Sequence, residues 1–399
     1  MKNLNSFEDL IDPIKEKKFF DEFHDNRFLH IKANNSDKFL NIFNWESFSR
    51  ILNMTSIWTS SSLQLVLDKN KIAPEDYCFP GVDREGNEVF QPQPNKLIEF
   101  LNKGATLIAN EVDTLDSNID SIAKILEDKF SSKTQCNIYF SKQGRQGFDI
   151  HFDVHEVFAI NLIGEKVWNI YEGRLDNPIN SEAFISLDKE YAKENCGKIL
   201  EKVLLKPGDI LYIPRGQFHE ALASSDRSMH LSFSVTHLIG HDVLSLLFNE
   251  AMSGSFFRSN LPMTFQGPKE IENWINKFNQ NLSNIIKSSS FSDIIKYQVA
   301  NYKLTRGTYS FPDDLTYNLK QKFIFKENVI LKNVGSKIIL EVNKKGITIP
   351  NKYIDIIKKL ISIGSFTIEE AQKKSDNLDL DSVRQLIDDL SNMSLIRKQ

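Results

Sequence analysis

Hydrophobic and polar residues follow two different periods along this chain. Between about 135 and 235, short apolar runs are separated by Gly, Pro and charged residues, as in β-strands joined by tight turns. On either side, apolar residues recur every three to four positions, as on one face of an amphipathic helix. The pattern therefore predicts an α+β protein with a β-rich centre between helical flanks.

The apolar runs of the centre place individual strands. They predict strands at 157–163, 166–171, 202–205, 209–213 and 229–235. Gly164 and Glu165 separate the first two runs, and glycine at the first position of a two-residue turn favours a type II′ hairpin. Many short strands with such turn signals indicate a double-stranded β-helix, which is a jelly-roll architecture.

Helical periodicity marks the flanks. Residues 1–30 are expected to form a short helical lead-in, and residues 73–94 a long excursion that contains Pro and Gly. The longer predicted helices are at 114–130, 241–252, 269–287, 351–362 and 381–393. The helix at 269–287 carries a stripe of large apolar side chains that must be buried against another surface.

Composition and cysteine content set the broad class. The chain has 399 residues, of which 41% are hydrophobic and 26% charged, so the length suggests two or three globular domains. A net charge of −4 gives no general attraction to nucleic acid or to an anionic membrane. The three cysteines are widely spaced, which favours a reducing compartment. No apolar run is long enough to span a membrane, and the N-terminus lacks signal-peptide features, so a cytoplasmic protein is predicted.

Two short segments carry the candidate chemistry. His151 and Asp153 are two positions apart in an extended context, so the period of a strand puts both side chains on one face. His219 ends the segment 206–219, in which Pro-Gly-Asp precedes a predicted strand and Ile-Pro-x-Gly-x-x-His follows. Two histidines and one carboxylate form the facial triad that holds iron(II) and leaves coordination positions open. A His-x-Asp pair alone is common by chance, and the turn signals are what favour a metal site.

Short motifs around these histidines resemble a known family. They are Gly-Ala-Thr-Leu at 104–107, Asn-Ile-Tyr-Phe at 137–140, Gln-Gly-Phe at 146–148, His-Phe-Asp at 151–153, Val-Phe at 157–158, Gly-Glu-Lys-Val-Trp at 164–168 and the segment 206–219. In combination they resemble the JmjC-type cupin oxygenases of the ribosomal-oxygenase branch, over about residues 104–235. One departure is Ile150, where many relatives have proline.

The resemblance implies an activity and a set of site residues. Members of this branch are iron(II)- and 2-oxoglutarate-dependent protein hydroxylases, which use dioxygen and release succinate as a substrate C–H bond is hydroxylated. The implied iron ligands are His151, Asp153 and His219. The implied 2-oxoglutarate contacts are Lys166, which would pair with the 5-carboxylate, and Asn137, Tyr139 and Ser232. Without the resemblance, Lys166 would be interpreted as an exposed strand lysine.

Three other histidines are expected to support the fold. His155 lies four positions after His151, and four extended residues span about 13 Å, which is too far for a shared ion. His230 lies near Ser232 and is expected to pack at the edge of the site. His30 is expected to be an ordinary strand residue.

The resemblance also implies a domain order. Residues 1–240 would form the JmjC/cupin catalytic domain with its helical lead-in, 241–304 a helical dimerisation region and 305–399 a winged-helix domain. Packing within one protomer is the alternative for the apolar stripe at 269–287. Residues 301–399 hold 17 Lys and Arg against 12 Asp and Glu, spread rather than clustered, so direct nucleic-acid binding is not expected.

Three functions remain open at the level of sequence. The first is hydroxylation of a protein, with a ribosomal protein as the family-typical substrate. The second is a tailoring oxygenase that hydroxylates a ribosomally made natural-product precursor peptide. The third is a non-catalytic cupin that serves as a binding module, against which the intact triad and Lys166 argue. A histone demethylase is less favoured because the C-terminal half resembles that of ribosomal oxygenases.

Overall fold

The computed structural model of this protein describes residues 4–82, 86–142, 148–187, 189–223, 225–306, 319–326, 329–334, 337–342, 345–375, 377–393 and 395–399. Gln146 and Gly147 of the motif at 146–148 lie outside the described residues. The protein divides into two compact units, Met1–His237 and Leu238–Gln399.

The first unit is built mainly of strands. Its strands are β1 (Leu29–Ile31), β2 (Leu63–Leu67), β3 (Asn70–Lys71), β4 (Cys78–Val82), β5 (Glu88–Pro92), β6 (Thr106–Ala109), β7 (Ser132–Lys142), β8 (Glu156–Ile163), β9 (Lys166–Arg174), β10 (Ile199–Leu205), β11 (Ile210–Ile213), β12 (Gln217–Ala223) and β13 (Arg227–His237). Its helices are α1 (Phe7–Ile11), α2 (Glu16–Glu22), α3 (Trp45–Leu52), α4 (Pro74–Tyr77), α5 (Pro94–Asn102), α6 (Ser117–Phe130), α7 (Glu182–Ile185) and α8 (Lys189–Asn195).

Two antiparallel sheets form the core of this unit. The larger sheet has the strand order β1-β11-β8-β13-β7-β6-β2-β3, and the smaller has the order β10-β9-β12. A small apolar core joins their facing sides, with Val157, Ala159 and Leu211 from the larger sheet and Trp168 and Val203 from the smaller. Two facing sheets with these crossed connections form the cupin jelly roll that the turn pattern predicts.

The other face of the larger sheet is covered by the lead-in helices and by α6. Phe7, Phe19, Phe130 and Phe158 meet there, and the Phe7 ring lies edge-on to Phe19 and to Phe130 at 5.2 Å between ring centroids. The first seven residues of β8 are all buried, because helices cover one face of the strand and the smaller sheet covers the other. The abundance of phenylalanine in the sequence thus serves this outer core.

The predicted type II′ hairpin at Gly164 is wrong. β8 pairs with β11 and β13 in the larger sheet, whereas β9 pairs with β10 and β12 in the smaller one. Gly164 and Glu165 therefore form a corner at which the backbone passes from one sheet to the other. Gly164 has a φ of +69°, and a Cβ there would lie 1.7 Å from the backbone oxygen of Arg227, so only glycine fits.

The excursion at 73–94 contains regular structure. Its described residues include the single helical turn α4 and the strands β4 and β5, which pair with each other as a two-stranded antiparallel sheet. The alternation of exposed and partly buried residues along β5 is too short for a period to be evident in the sequence.

The second unit combines helices with short strands. Its helices are α9 (Gly240–Ala251), α10 (Pro268–Ile286), α11 (Ser289–Asn301), α12 (Asn351–Ile363), α13 (Ile368–Lys374) and α14 (Leu380–Asn392). Its strands are β14 (Lys322–Phe325), β15 (Ile330–Val334), β16 (Lys337–Val342), β17 (Lys345–Thr348), β18 (Ser365–Thr367) and β19 (Ile396–Lys398).

These strands form the sheets β18-β14-β19 and β15-β16-β17. The second unit has a separate hydrophobic core, which lies between α12, α13 and α14. The predicted start of the last domain, at about 305, adjoins residues 307–318, which lie outside the described residues. Among the described residues, no helix is both long and apolar enough to cross a membrane.

Candidate metal centre

Backbone pairing brings the two candidate histidines together. His151 and His219 form an isolated antiparallel bridge, in which the His151 N–H donates to the His219 carbonyl at 3.0 Å. The His219 N–H donates back to the His151 carbonyl at 2.8 Å. The two imidazole rings consequently lie side by side, with 4.4 Å between their centroids.

Each of these imidazoles is oriented by a second hydrogen bond. Nδ1 of His151 lies 2.8 Å from the carbonyl oxygen of Asp149, and Nδ1 of His219 lies 2.9 Å from that of Gln217. A carbonyl oxygen only accepts, so Nδ1 carries a proton in both rings, and in the neutral form of each ring Nε2 has the free lone pair. This is the arrangement that metal-binding histidines commonly have.

Asp153 completes the group. Its Oδ2 lies 3.5 Å from Nε2 of His219, and one ligand atom from each of His151, Asp153 and His219 lies within 4.8 Å of the others. The backbone carbonyl of Asp153 accepts from the Gly216 N–H at 2.9 Å, which ties this residue to the turn before β12. Gly216 has a φ of +81°, and a Cβ there would meet the Leu175 carbonyl oxygen at 2.0 Å.

The loop before His151 is anchored by charge. The Asp149 carboxylate contacts Lys69 at 2.9 Å and Lys189, at the start of α8, at 2.8 Å. Partial burial alone would raise the pKa of Asp149, but the two ammonium groups lower it below its ordinary value. Because the same residue accepts the His151 imidazole proton through its carbonyl, these ion pairs help to hold that ring in place.

The charges of the three residues are mutually adjusted. Burial would raise the pKa of Asp153, but the neighbouring imidazoles of His155, His219 and His151 lower it, so the carboxylate is ionised. Burial and the nearby His151 lower the pKa of His219 to about 4. At neutral pH His219 is therefore a neutral imidazole and Asp153 a carboxylate, which are the forms that bind a divalent metal ion.

Lys166 enters the jelly-roll interior beside this centre. Its side chain is 6% exposed, and Nζ lies 5.9 Å from the ring centroid of Tyr139 and 5.8 Å from that of Trp168. No carboxylate among the described residues pairs with it, and burial lowers its pKa to about 7. Trp168 in turn lies 5.7 Å, between ring centroids, from His219.

The other predicted contact residues share this face. Asn137 and Ser232 are directly paired between β7 and β13, and Tyr139 is paired with His230, so all four side chains point to the same side of the sheet. The Tyr139 and His230 rings stack at 4.9 Å. Burial, followed by the charge of Asp153, raises the pKa of Tyr139 to about 12, so this phenol stays protonated.

His230 belongs to the interior more fully than the sequence suggests. It is 2% exposed, and its buried Nδ1 has no hydrogen-bond partner among the described residues. Burial and the charge of Lys166 lower its pKa well below the ordinary value, so the ring is neutral. Nε1 of Trp168 is also buried without a partner in the described part of the protein. The spacing of two from Ser232 is the sequence signal that places His230 on the same face.

The remaining histidines differ from each other. Nδ1 of His155 lies 3.2 Å from the carbonyl oxygen of Glu156, and this residue lies outside the group of three candidate ligands. His30 is more than an ordinary strand residue, because its Nε2 contacts the Asp209 carboxylate at 2.9 Å. Asp209 also accepts from the backbone N–H of Ala33, so this pair connects β1 to the Pro-Gly-Asp turn.

Part of the sequence is similar to known proteins. Residues 109–243 match the JmjC domain. The chain is 26% identical over 229 residues to Ribosomal oxygenase 1 of Danio rerio, a match that covers 57% of this chain and 40% of that protein. It is 26% identical over 351 residues to Ribosomal oxygenase 2 of Rattus norvegicus, covering 82% of this chain and 72% of that protein. The chain thus spans less than half the length of the first of these relatives.

Solved structures agree with this fold. The match with the crystal structure of the Escherichia coli ribosomal oxygenase YcfD covers 97% of this chain and 98% of that chain. Its TM-score is 0.53 and the sequence identity is 14%. A structure of YcfD in complex with cobalt and 2-oxoglutarate has a TM-score of 0.52 and 15% identity over 97% of this chain. The predicted resemblance to JmjC-type cupins of the ribosomal-oxygenase branch is confirmed.

In the metal-free protein we expect His219 to be a neutral imidazole protonated at Nδ1, because its pKa is about 4 and Nδ1 donates to Gln217. Nitrogen-15 NMR of histidine-labelled protein should show no titration of this ring between about pH 5 and about pH 8. The His219→Gln variant identifies its signals. A titration near about pH 6.5, the value of free histidine, or an Nε2–H signal would contradict the prediction.

Proposed function

We propose that this protein, which carries a JmjC domain similar to that of the ribosomal oxygenases, is an iron(II)- and 2-oxoglutarate-dependent dioxygenase. It hydroxylates a C–H bond in a side chain of a protein or peptide. His151, Asp153 and His219 bind the iron, and Lys166, Asn137, Tyr139 and Ser232 bind 2-oxoglutarate. This proposal rests on the donor set of the candidate centre and, above all, on the environment of Lys166.

The unpaired buried lysine is the observation that carries the proposal. Moving an ammonium group out of water is unfavourable unless an anion compensates, and none of the described residues supplies a carboxylate to Lys166. Two further buried polar atoms nearby, Trp168 Nε1 and His230 Nδ1, also lack partners among the described residues. A small dicarboxylate that enters from the metal side would give the ammonium its counter-ion. The 5-carboxylate of 2-oxoglutarate has that charge.

The donor set suits iron(II). Two imidazole Nε2 atoms and one carboxylate would hold the iron and leave coordination positions for a co-substrate and dioxygen. When bound, the iron would let dioxygen oxidise both 2-oxoglutarate, to succinate and carbon dioxide, and the substrate C–H bond, to which one oxygen atom is added. The protein residues hold these groups: Nδ1 bonds orient both imidazoles, and the packed rings of Tyr139, Trp168 and His230 limit the access of water. The YcfD complex with cobalt and 2-oxoglutarate shows such loading in that protein.

A ribosomal protein is the substrate that we propose. The supporting observation is that relatives such as Ribosomal oxygenase 1 and Ribosomal oxygenase 2 carry this name. We also propose a cytoplasmic location, which is supported by the small number and wide spacing of the cysteines in the sequence.

The proposal is tested by measuring both the activity of the purified protein and the modification of ribosomal proteins. The purified protein should convert 2-oxoglutarate to succinate only with iron(II), and His219→Ala should lower this rate by more than about 100-fold because one metal ligand is lost. In the native host, intact-mass measurement should show one ribosomal protein that loses one oxygen atom in the His219→Ala strain.

The outcomes separate the alternatives. Succinate production with unchanged ribosomal masses would reject the ribosomal substrate and direct the search to peptides encoded beside the gene. Absence of iron-dependent succinate production with any ribosomal extract or such peptide would reject the enzyme and leave a binding module. The His241→Ala variant, on α9, is the matched control and should behave as the wild type.

The affinity for 2-oxoglutarate should fall as the pH rises above about 7. Lys166 without an anion has a pKa of about 7, and a bound carboxylate favours its charged form, so binding takes up a proton at higher pH. The dissociation constant of the metal-loaded protein, measured by calorimetry without oxygen, should rise by up to about tenfold per pH unit between about pH 7.5 and 9. Lys166→Arg is the control, since arginine stays charged and should flatten the profile. A flat wild-type profile would contradict the assigned role of Lys166.

We further propose that residues 241–304 form a homodimer interface and that residues 305–399 are a winged-helix domain. The support for the interface is an exposed apolar face on α9, where the side chains of Leu244 and Phe248 are 63% and 69% exposed one turn apart. A groove beside it is lined by Met252, Phe257 and Phe278. Apolar surface of this kind is usually covered by a partner.

Replacing Leu244 and Phe248 together by serine should convert the dimer to a monomer, because the apolar contact is lost. Light scattering during gel filtration measures the mass. Ile98→Ser, at an exposed apolar position on α5, is the control and should leave the dimer intact. A monomeric wild-type protein, or a doubly substituted variant that remains dimeric, would reject this interface.

A further inference from the structure

A second group of potential metal ligands lies on the opposite face of the larger sheet. It consists of His24 just after α2, Glu156 at the start of β8 and His237 at the end of β13. One ligand atom from each residue lies within 4.8 Å of the others. None of these residues belongs to the candidate iron centre, and they are far apart in the sequence.

The strands explain why this group faces away from the first. Phe158 and Val235, each two positions from a member of the group, belong to the outer core beneath the helices. Val157, which follows Glu156, points into the jelly-roll interior. Because side chains alternate along a strand, Glu156 and His237 therefore point outward, towards the lead-in helices.

The distances match those of a coordinated ion. Nε2 of His24 lies 3.4 Å from Oε1 of Glu156, and Nε2 of His237 lies 3.2 Å from the same oxygen. Zinc binds imidazole nitrogen and carboxylate oxygen at about 2.0–2.2 Å, so two of its ligands at a tetrahedral angle lie about 3.4 Å apart. Each imidazole nitrogen thus lies at about the distance from Oε1 that separates two ligands of one small ion, and the two nitrogens lie within 4.8 Å of each other.

The polar atoms of this group are buried but unsatisfied. Nε2 of His24, Nε2 of His237 and Oε2 of Glu156 are all buried and form no hydrogen bond within the described part of the protein. Glu156 is 2% exposed, although burial of a carboxylate is unfavourable without compensation. The Tyr212 hydroxyl also interacts with the Glu156 carboxylate, but it leaves the two buried imidazole Nε2 atoms without a hydrogen bond among the described residues.

The surroundings favour an ion rather than water. The ring of His24 lies 5.4 Å from that of Phe130 and 5.2 Å from that of Phe20, and His237 lies 5.9 Å from Phe130. The two histidine side chains are 29% exposed as a whole, although their Nε2 atoms are buried. A polar ligand set inside an apolar shell is typical of a protein metal site.

We propose that His24, Glu156 and His237 bind a structural divalent cation, for which zinc is the best match. Zinc accepts nitrogen and oxygen ligands in tetrahedral geometry. It would connect the helical lead-in to β8 and β13 and so hold the helices that cover the sheet. The proposal does not depend on the oxygenase activity.

The test begins with the full-length protein in which the first centre is disabled by His151→Ala and His219→Ala. After chelation and exposure to zinc, this variant should retain about one zinc ion per molecule by elemental analysis, and its Tm should rise with zinc concentration. When cobalt(II) replaces zinc in the same variant, the protein should show the visible absorption of a four-coordinate cobalt complex.

Further variants assign the ligands. Adding His24→Gln and His237→Gln to that variant should weaken zinc binding by roughly 100-fold and remove the Tm response. Glu156→Gln keeps the side-chain volume and serves if the histidine variants do not fold. His241→Gln, in the second unit, is the matched control and should leave binding unchanged. A folded starting variant without zinc, or equal zinc in the His24 and His237 variants, would overturn the proposal.

Discussion

The reciprocal backbone hydrogen bonds between His151 and His219 are the constraint on which the candidate centre depends. They join a loop before β8 to the beginning of β12, two segments that are distant in the sequence. β12 is in turn paired with β9 along the smaller sheet, so the position of His219 is fixed by an extended ladder. Asp149, two residues before His151, also forms ion pairs with Lys69 and Lys189. The backbone pairing thus holds the donor atoms of His151 and His219 close to each other.

Burial in the interior of the jelly roll couples stability to binding. Lys166, Tyr139 and His230 are polar side chains within a largely apolar space, and each has its pKa shifted by loss of water. An apolar residue in place of Lys166 would suit this interior better, because none of the described residues gives the ammonium group a compensating charge. The buried lysine thus makes the folded state less stable than an apolar residue would. Such a loss of stability is common at ligand-binding sites.

The sequence was sufficient for the features set by local rules. His151 and Asp153 lie close together as their spacing of two predicts, although His151 forms only an isolated bridge and Asp153 lies in a loop before β8. The Pro-Gly-Asp turn precedes the predicted strand at 209–213, which the structure has as β11. Sequence did not predict the contact of His30 with Asp209, because that contact depends on the pairing of β1 with β11. The corner at Gly164 was predicted as a hairpin, since local turn chemistry cannot distinguish strands that pair from strands that enter facing sheets. His24, Glu156 and His237 have no common motif, and only the folded sheet brings them together.

The start of β8 lies between the candidate iron centre and the group of His24, Glu156 and His237. Asp153 lies just before the strand and faces the candidate iron centre, whereas Glu156 begins the strand and faces the lead-in helices. A displacement of this strand along its own axis would move both carboxylates at once. The strand is buried on both faces and paired on both edges, so such a displacement would break ladders with β11 and β13 together. The pairing of β8 on both edges therefore restrains the positions of both Asp153 and Glu156.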